Sequence, residues 1–143
     1  MNEALKLAMI SYCEGEVPVG AVIVKNNNII ATGRNRRELG KNALYHAEIE
    51  AIDNACKILG GWRLWDCELF VTLEPCPMCI GAIINSRIKR VIFGTPDLKS
   101  GSCGSVINIL DYKYNHIPAL TSGILKDESS QILTSFFKKL RNK

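Results

Sequence analysis

Long apolar runs are absent from this sequence. No stretch approaches the roughly 20 residues that cross a bilayer, and the opening segment Met1 to Ala8 carries Glu3 and Lys6 where a signal peptide needs an unbroken apolar core. Internal repeats, low-complexity tracts and linker-like stretches are also missing. Neither sign of charge is in large excess: 18 Lys plus Arg stand against 14 Asp plus Glu, a net +4. Together these absences set aside membrane-spanning, collagen-like and disordered classes. What remains is an ordinary folded chain of 143 residues, 47% hydrophobic and 22% charged, read as one domain over residues 1–143 whose core needs no disulfide staples. The expected setting is cytoplasmic, where the six cysteines stay reduced. Their spacing must then decide which of them do chemistry.

The basic residues are unevenly spread. Arg34, Arg36, Arg37 and Lys41 lie close together, and Lys138, Lys139, Arg141 and Lys143 crowd the last residues. Such clusters suit a polyanionic partner, or form a solvated surface.

Hydrophobic periodicity marks out alternating helices and strands. Leu5, Ala8, Met9 and Tyr12 fit an amphipathic helix that Gly15 ends. Ala21 to Lys25 and Ile29 to Thr32 flank Asn26-Asn27-Asn28 as a hairpin, and residues 33–45 read as a polar loop. A helix from about His46 to Leu59 is stopped by Gly60-Gly61, and Glu68 to Leu73 is a strand. Pro77 opens a helix to about Ser86, where its missing N–H costs nothing. Arg90 to Phe93 is a strand, Ser100 to Ser105 a Gly/Ser-rich loop, Ile117 to Leu120 a weaker strand, and Ser130 to Leu140 the final helix. The pattern predicts an α/β fold with a mixed sheet covered on both faces.

Cys76 and Cys79 stand in C-x-x-C spacing at a strand end and helix start, where the helix dipole favours thiolate. Alone, that spacing fits a redox pair, half of a structural zinc site, or two packed thiols. His46 and Glu48, separated by one residue at another helix start, narrow the choice. Ligation by His46, Cys76 and Cys79 leaves the fourth tetrahedral position of zinc open, as in catalytic sites; a closed site would need His116 or Cys103, neither at finger-like spacing. Glu48 beside the metal suits proton transfer. Cys13, Cys56, Cys67 and Cys103 read as packed or idle thiols, with Cys103 the one expected to be exposed.

The pair His46-x-Glu48 and Pro75-Cys76-x-x-Cys79 resembles the signature of zinc nucleobase deaminases. The likeness extends through Glu16-Val17-Pro18-Val19-Gly20-Ala21, Asn35, Leu73-Glu74, Ser86-Arg87-Ile88, Val91-Ile92-Phe93-Gly94, Asp97, Lys99, Gly104-Ser105, Asn115-His116 and Phe136-Phe137. Over almost the whole chain it is similar to the bacterial tRNA-specific adenosine deaminases.

The resemblance implies a cytidine deaminase-like fold, a three-layer α/β/α sandwich around a mixed five-stranded sheet. It also implies one zinc per chain on His46, Cys76 and Cys79, and hydrolytic conversion of adenosine to inosine at the wobble position of a tRNA anticodon loop, with water activated at the zinc and Glu48 as proton shuttle. By the same resemblance, Asn35, Ala47, Asp97, Lys99, Phe136 and Phe137 bind substrate, one phenylalanine lying in the core and the other facing RNA. The implied partners are an anticodon stem-loop, of an arginine tRNA, and a second copy of the chain, with no membrane. Arg34, Arg36, Lys99 and Lys138 would hold the RNA backbone. The alternatives are a zinc-dependent deaminase of a free base or nucleoside, guanine or cytosine, and a zinc-stabilised RNA-binding module that performs no catalysis.

Overall fold

The computed structural model describes residues 1–143. Strands β1 (Gly20–Lys25) and β2 (Asn28–Arg34) form an antiparallel hairpin. Its turn needs positive φ at both central residues, and Asn26 and Asn27 supply it at 51° and 62°. β1 also pairs antiparallel with β3 (Cys67–Leu73); β3 then pairs in parallel with β4 (Arg90–Thr95), and β4 in parallel with β5 (Ala119–Ser122). The result is a mixed five-stranded sheet in the order β2-β1-β3-β4-β5.

Helices α2 (Ala47–Leu59) and α3 (Pro77–Asn85) cover one face, α1 (Asn2–Cys13) and α4 (Lys126–Arg141) the other. Strand alternation sorts the core between them. Ala21, Ile23, Leu69, Val71, Val91 and Phe93 turn to α2 and α3, in the main cluster with Ala47, Ala51, Ala55, Ile80 and Ile83. Small residues let the layers approach. At Gly33 a Cβ would come 2.2 Å from the Ala47 carbonyl, so only glycine lets α2 lie this close to β2. That close seat fixes where α2 begins, and with it His46.

Two boundaries differ from the sequence reading. β5 begins after Pro118, two residues later than expected, because proline has no N–H to give the ladder; Ala119 makes the first bond, to Lys89 O at 2.9 Å. α4 begins at Lys126 rather than Ser130. Its first turn is polar, with Asp127 and Glu128 favoured there by the helix dipole, so apolar periodicity could not reveal it. A short 3₁₀ turn, Ile109–Asp111, was not anticipated. No helix is long and apolar enough to cross a membrane.

Candidate functional site

The starts of α2 and α3 converge beside the carboxyl end of β3. His46 is the residue before α2 and Cys76 the residue before α3; neither side chain caps its own helix, which leaves ring and thiol free. Pro77 follows at the first helical position, and Cys79 completes the first turn. His46 Nδ1 lies 3.6 Å from Cys76 Sγ and 3.5 Å from Cys79 Sγ. Tetrahedral zinc with bonds of about 2.3 Å to sulfur and about 2.0–2.1 Å to nitrogen sets those ligand atoms about 3.6 Å apart, so both His46–thiol distances suit that ion, and all three donor atoms lie within 4.8 Å of one another. Cys79 is fully buried, while His46 and Cys76 are half-buried and open to a cleft. His116 takes no part: its Nε2 donates to Ile88 O at 2.7 Å, and its ring meets Trp65 edge-on.

The electrostatics follow from this crowding. A hydrogen bond from the Cys79 thiol, aided by His46, pulls Cys76 down to about 4, while that same bond and burial push Cys79 far up. The hydrogen bond to Cys76 also raises His46 above its ordinary value. Glu48, 4% exposed in the first turn of α2, is pushed up to about 7 by burial.

Above this floor is an open cleft whose space, counted with its mouth, is about 590 Å³. Val19 and Leu73 give it apolar walls; Asn35 and Arg37 stand on one rim, Asp97 and Ser100 on the other. Each rim is held by a buried carboxylate. Glu16, 1% exposed, accepts from Glu38 N at 3.1 Å and Leu39 N at 2.7 Å. Glu74, 3% exposed, accepts from Asp97 N at 3.3 Å, Cys103 N at 3.0 Å, Ser105 N at 3.2 Å and the Ser105 hydroxyl.

Of the residues singled out in the sequence, His46, Ala47, Glu48, Cys76, Asn35 and Asp97 line this one cleft, with Cys79 beneath it. Asn35 is also a structural residue: its Nδ2 donates to Val17 O and its Oδ1 accepts from Arg37 N. Asp97 likewise shapes its own loop, accepting from Lys99 N, Ser100 N and Ser100 Oγ. Lys99, Phe136 and Phe137 do not line the cleft. Phe136 is core at 4% exposure; Phe137 is 39% exposed, with the Lys99 ammonium 5.9 Å from its ring centre, beside the Asp97 rim.

One expectation is qualified and one corrected. Arg34 pairs with Glu14, at 2.8 and 3.2 Å, and Arg36 with Glu50 at 2.6 Å, so neither stands as an unpaired cation; Arg37, with Glu38 3.9 Å away, is the arginine at the cleft. Cys103 is buried, because its N–H is drawn onto Glu74, and the exposed thiol is Cys13. Glu16 and Glu74 were noticed only as parts of a resemblance. Nothing local in the sequence distinguishes a carboxylate that will bind backbone 22 to 31 residues away.

Comparison with known proteins agrees with this geometry. The family described as MafB19-like deaminase matches residues 1–141. The tRNA-specific adenosine deaminase of Bacillus subtilis is 47% identical over 144 residues, spanning 100% of this chain and 89% of that protein. The Haemophilus influenzae protein of the same name is 48% identical, spanning 99% and 83%. A solved structure from work on A-to-I editing by tRNA deaminases at the wobble position of transfer RNA superposes with a TM-score of 0.91 at 40% identity, covering 93% of this chain and 97% of that one. The guanine deaminase of Bacillus subtilis, at 33% identity over 99% of this chain and 91% of its own, superposes less well, with a TM-score of 0.65. The cluster that could hold a metal, the buried glutamate beside it and full-length identity in the high forties all point one way: this chain belongs to the deaminase family, among the tRNA-specific adenosine deaminases.

Proposed function

We infer that this chain catalyses the hydrolytic deamination of adenosine to inosine at the wobble position of a tRNA anticodon loop, working in the cytoplasm. The carrying observation is the convergence of His46, Cys76 and Cys79 with buried Glu48 at the floor of one open cleft. Likeness to tRNA-specific adenosine deaminases over the whole chain supports an RNA-borne adenosine over a free base.

His46, Cys76 and Cys79 would hold one zinc per chain, which when bound supplies a hydrolytic nucleophile at neutral pH. Glu48 manages the protons. It takes one from the attacking water as the oxygen adds to C6 of adenine and delivers it to N1; it then takes the second from the new C6 hydroxyl and delivers it to the amine, so the C6–N bond breaks, ammonia leaves and the C6 oxygen becomes the carbonyl of inosine. Low exposure keeps bulk water from competing for these transfers. Asn35 and Ala47, which line the cleft, hold the extruded nucleotide, while Asp97, Lys99 and Phe137 meet the flanking loop and Phe136 anchors Phe137 from the core. A loop nucleotide is already partly unstacked, so flipping it out costs less than the few kcal/mol a duplex demands.

The partner is the anticodon stem-loop of an arginine tRNA, and the working unit is a homodimer. A chain this small offers limited area to grip folded RNA. A shallow groove between β2 and α2, where Ile29 and Ile58 are 47% and 62% exposed, leaves apolar surface for a second copy. Incubating the purified protein with total tRNA and mapping adenosine-to-inosine changes tests the reading. The expected result is inosine at a single anticodon position. Turnover of free guanine or cytosine with every tRNA unchanged overturns it.

A further inference from the structure

We propose that Glu74 is a positioning residue for substrate: its carboxylate ties the turn bearing the metal-ligating thiols to the loop bearing the substrate rim. Glu74 directly follows β3, two residues before Cys76, and its own N–H donates to Thr95 O at 2.9 Å. The next residue is tied to the same loop, Pro75 O accepting from Ser102 N at 2.9 Å. Both carboxylate oxygens are occupied: Asp97 N and the Ser105 hydroxyl are on Oε1, Cys103 N and Ser105 N on Oε2. No cation pairs with Glu74 in any ion pair of the chain. Its burial is compensated by loop donors alone, three of them backbone N–H groups that would otherwise lack partners.

The loop closes so tightly that a Cβ on Gly101 would come 2.3 Å from Glu74 Oε2 and 2.4 Å from Asp97 O. What is fixed in this way is the rim itself, because Asp97 and Ser100 line the cleft and Asp97 in turn holds Ser100. Glu74 itself also borders the cleft, but both of its oxygens are engaged by loop donors. It acts through Asp97 and Ser100.

Glutamine is the informative replacement. Glu74→Gln keeps shape but turns one oxygen into an NH₂ group, and in either flip that group faces at least one backbone N–H, of Asp97 on one side or of Cys103 and Ser105 on the other. The rim should loosen while the floor stays intact. The test uses the zinc-loaded protein in three arms: zinc content, amide exchange along the chain, and steady-state kinetics on an anticodon stem-loop RNA. The expected result is full zinc and faster exchange confined to residues 97–105, with residues 36–45 unchanged. KM should rise by about tenfold or more while kcat stays within about threefold. Gly101→Ala, which displaces the carboxylate from the other side, should reproduce that split.

A kcat lowered about a hundredfold or more, with exchange and KM unaltered, would place Glu74 in the chemistry and overturn the proposal. Unaltered exchange and kinetics would overturn it as well. If Glu74→Gln fails to fold or to hold zinc, Ser105→Ala decides, since it removes one donor remote from the metal turn: localised exchange with raised KM supports the proposal, and unchanged exchange overturns it. The activity arm rests on the reading of the site as an RNA adenosine deaminase. If the unmodified protein leaves the stem-loop unconverted, that reading fails, and the exchange arm still decides whether Glu74 holds the rim.

Discussion

The floor and the rim of the cleft are built by different means. The floor is short-range: His46 and Glu48 are two residues apart on one helix start, Cys76 and Cys79 three apart on another, and close packing of the helices on the sheet brings the two starts together. The rim is long-range. Its two loops keep their shape because Glu16 and Glu74, remote in sequence, collect their N–H groups inside the protein. A floor made this way is suited to one chemistry in a fixed geometry. A rim that depends on a few buried hydrogen bonds can be altered without disturbing the chemistry below it. The difference predicts that substrate choice and reaction type are separable in this molecule.

The largest expected effect tests the floor. Glu48→Ala should lower turnover by about 10²- to 10⁴-fold or more while zinc and melting temperature stay unchanged; a variant keeping over about a tenth of the activity would remove Glu48 from proton transfer. Next comes the metal. Cys79→Ala should abolish zinc binding in metal analysis, and chelation of the unmodified protein should lower Tm, because a zinc on His46, Cys76 and Cys79 would tie two separate helix starts together. A chain that loses zinc with no change in Tm breaks that link.

The phenylalanine pair sharpens the contrast between core and rim. Phe136→Ala should cost about 3–5 kcal/mol in denaturant unfolding, as for other large buried aromatics. Phe137→Ala should leave stability near normal yet weaken stem-loop binding about 5- to 150-fold, the range for one lost base-stacking contact. Equal stability losses in the two would place Phe137 in the core. The smallest effect separates the arginines: Arg37→Ala should reduce the slope of log K against log salt by about 0.7, one phosphate contact on single-stranded RNA. Arg34→Ala, whose partner is Glu14, should leave that slope unchanged.

The same division explains what was legible in the sequence. His46, Glu48, Cys76 and Cys79 could be read because ligand spacing and helix-start signals are local, and the elements that carry them fell close to where periodicity put them. Boundaries were lost where local signals conflict or fade, at Pro118 before β5 and in the polar first turn of α4. The roles of Glu16 and Glu74 were illegible for a physical reason. A buried carboxylate satisfied by backbone N–H groups leaves no charge partner and no periodicity to find, only a loop whose shape is known once the fold is. Basic clusters misled in the opposite way: Arg34 and Arg36 looked free until Glu14 and Glu50, 20 and 14 residues away, were seen to occupy them.

The most direct test of the account compares substrates at equal concentration on the zinc-loaded protein: an anticodon stem-loop RNA, free adenosine, guanine and cytosine, with inosine or ammonia as the readout. The account expects rapid inosine formation at one loop position and slow turnover of every free base or nucleoside, as the chain's likeness to tRNA-specific adenosine deaminases implies. Efficient release of ammonia from guanine or cytosine, with the stem-loop unconverted, would contradict it and assign this cleft to a free-base deaminase.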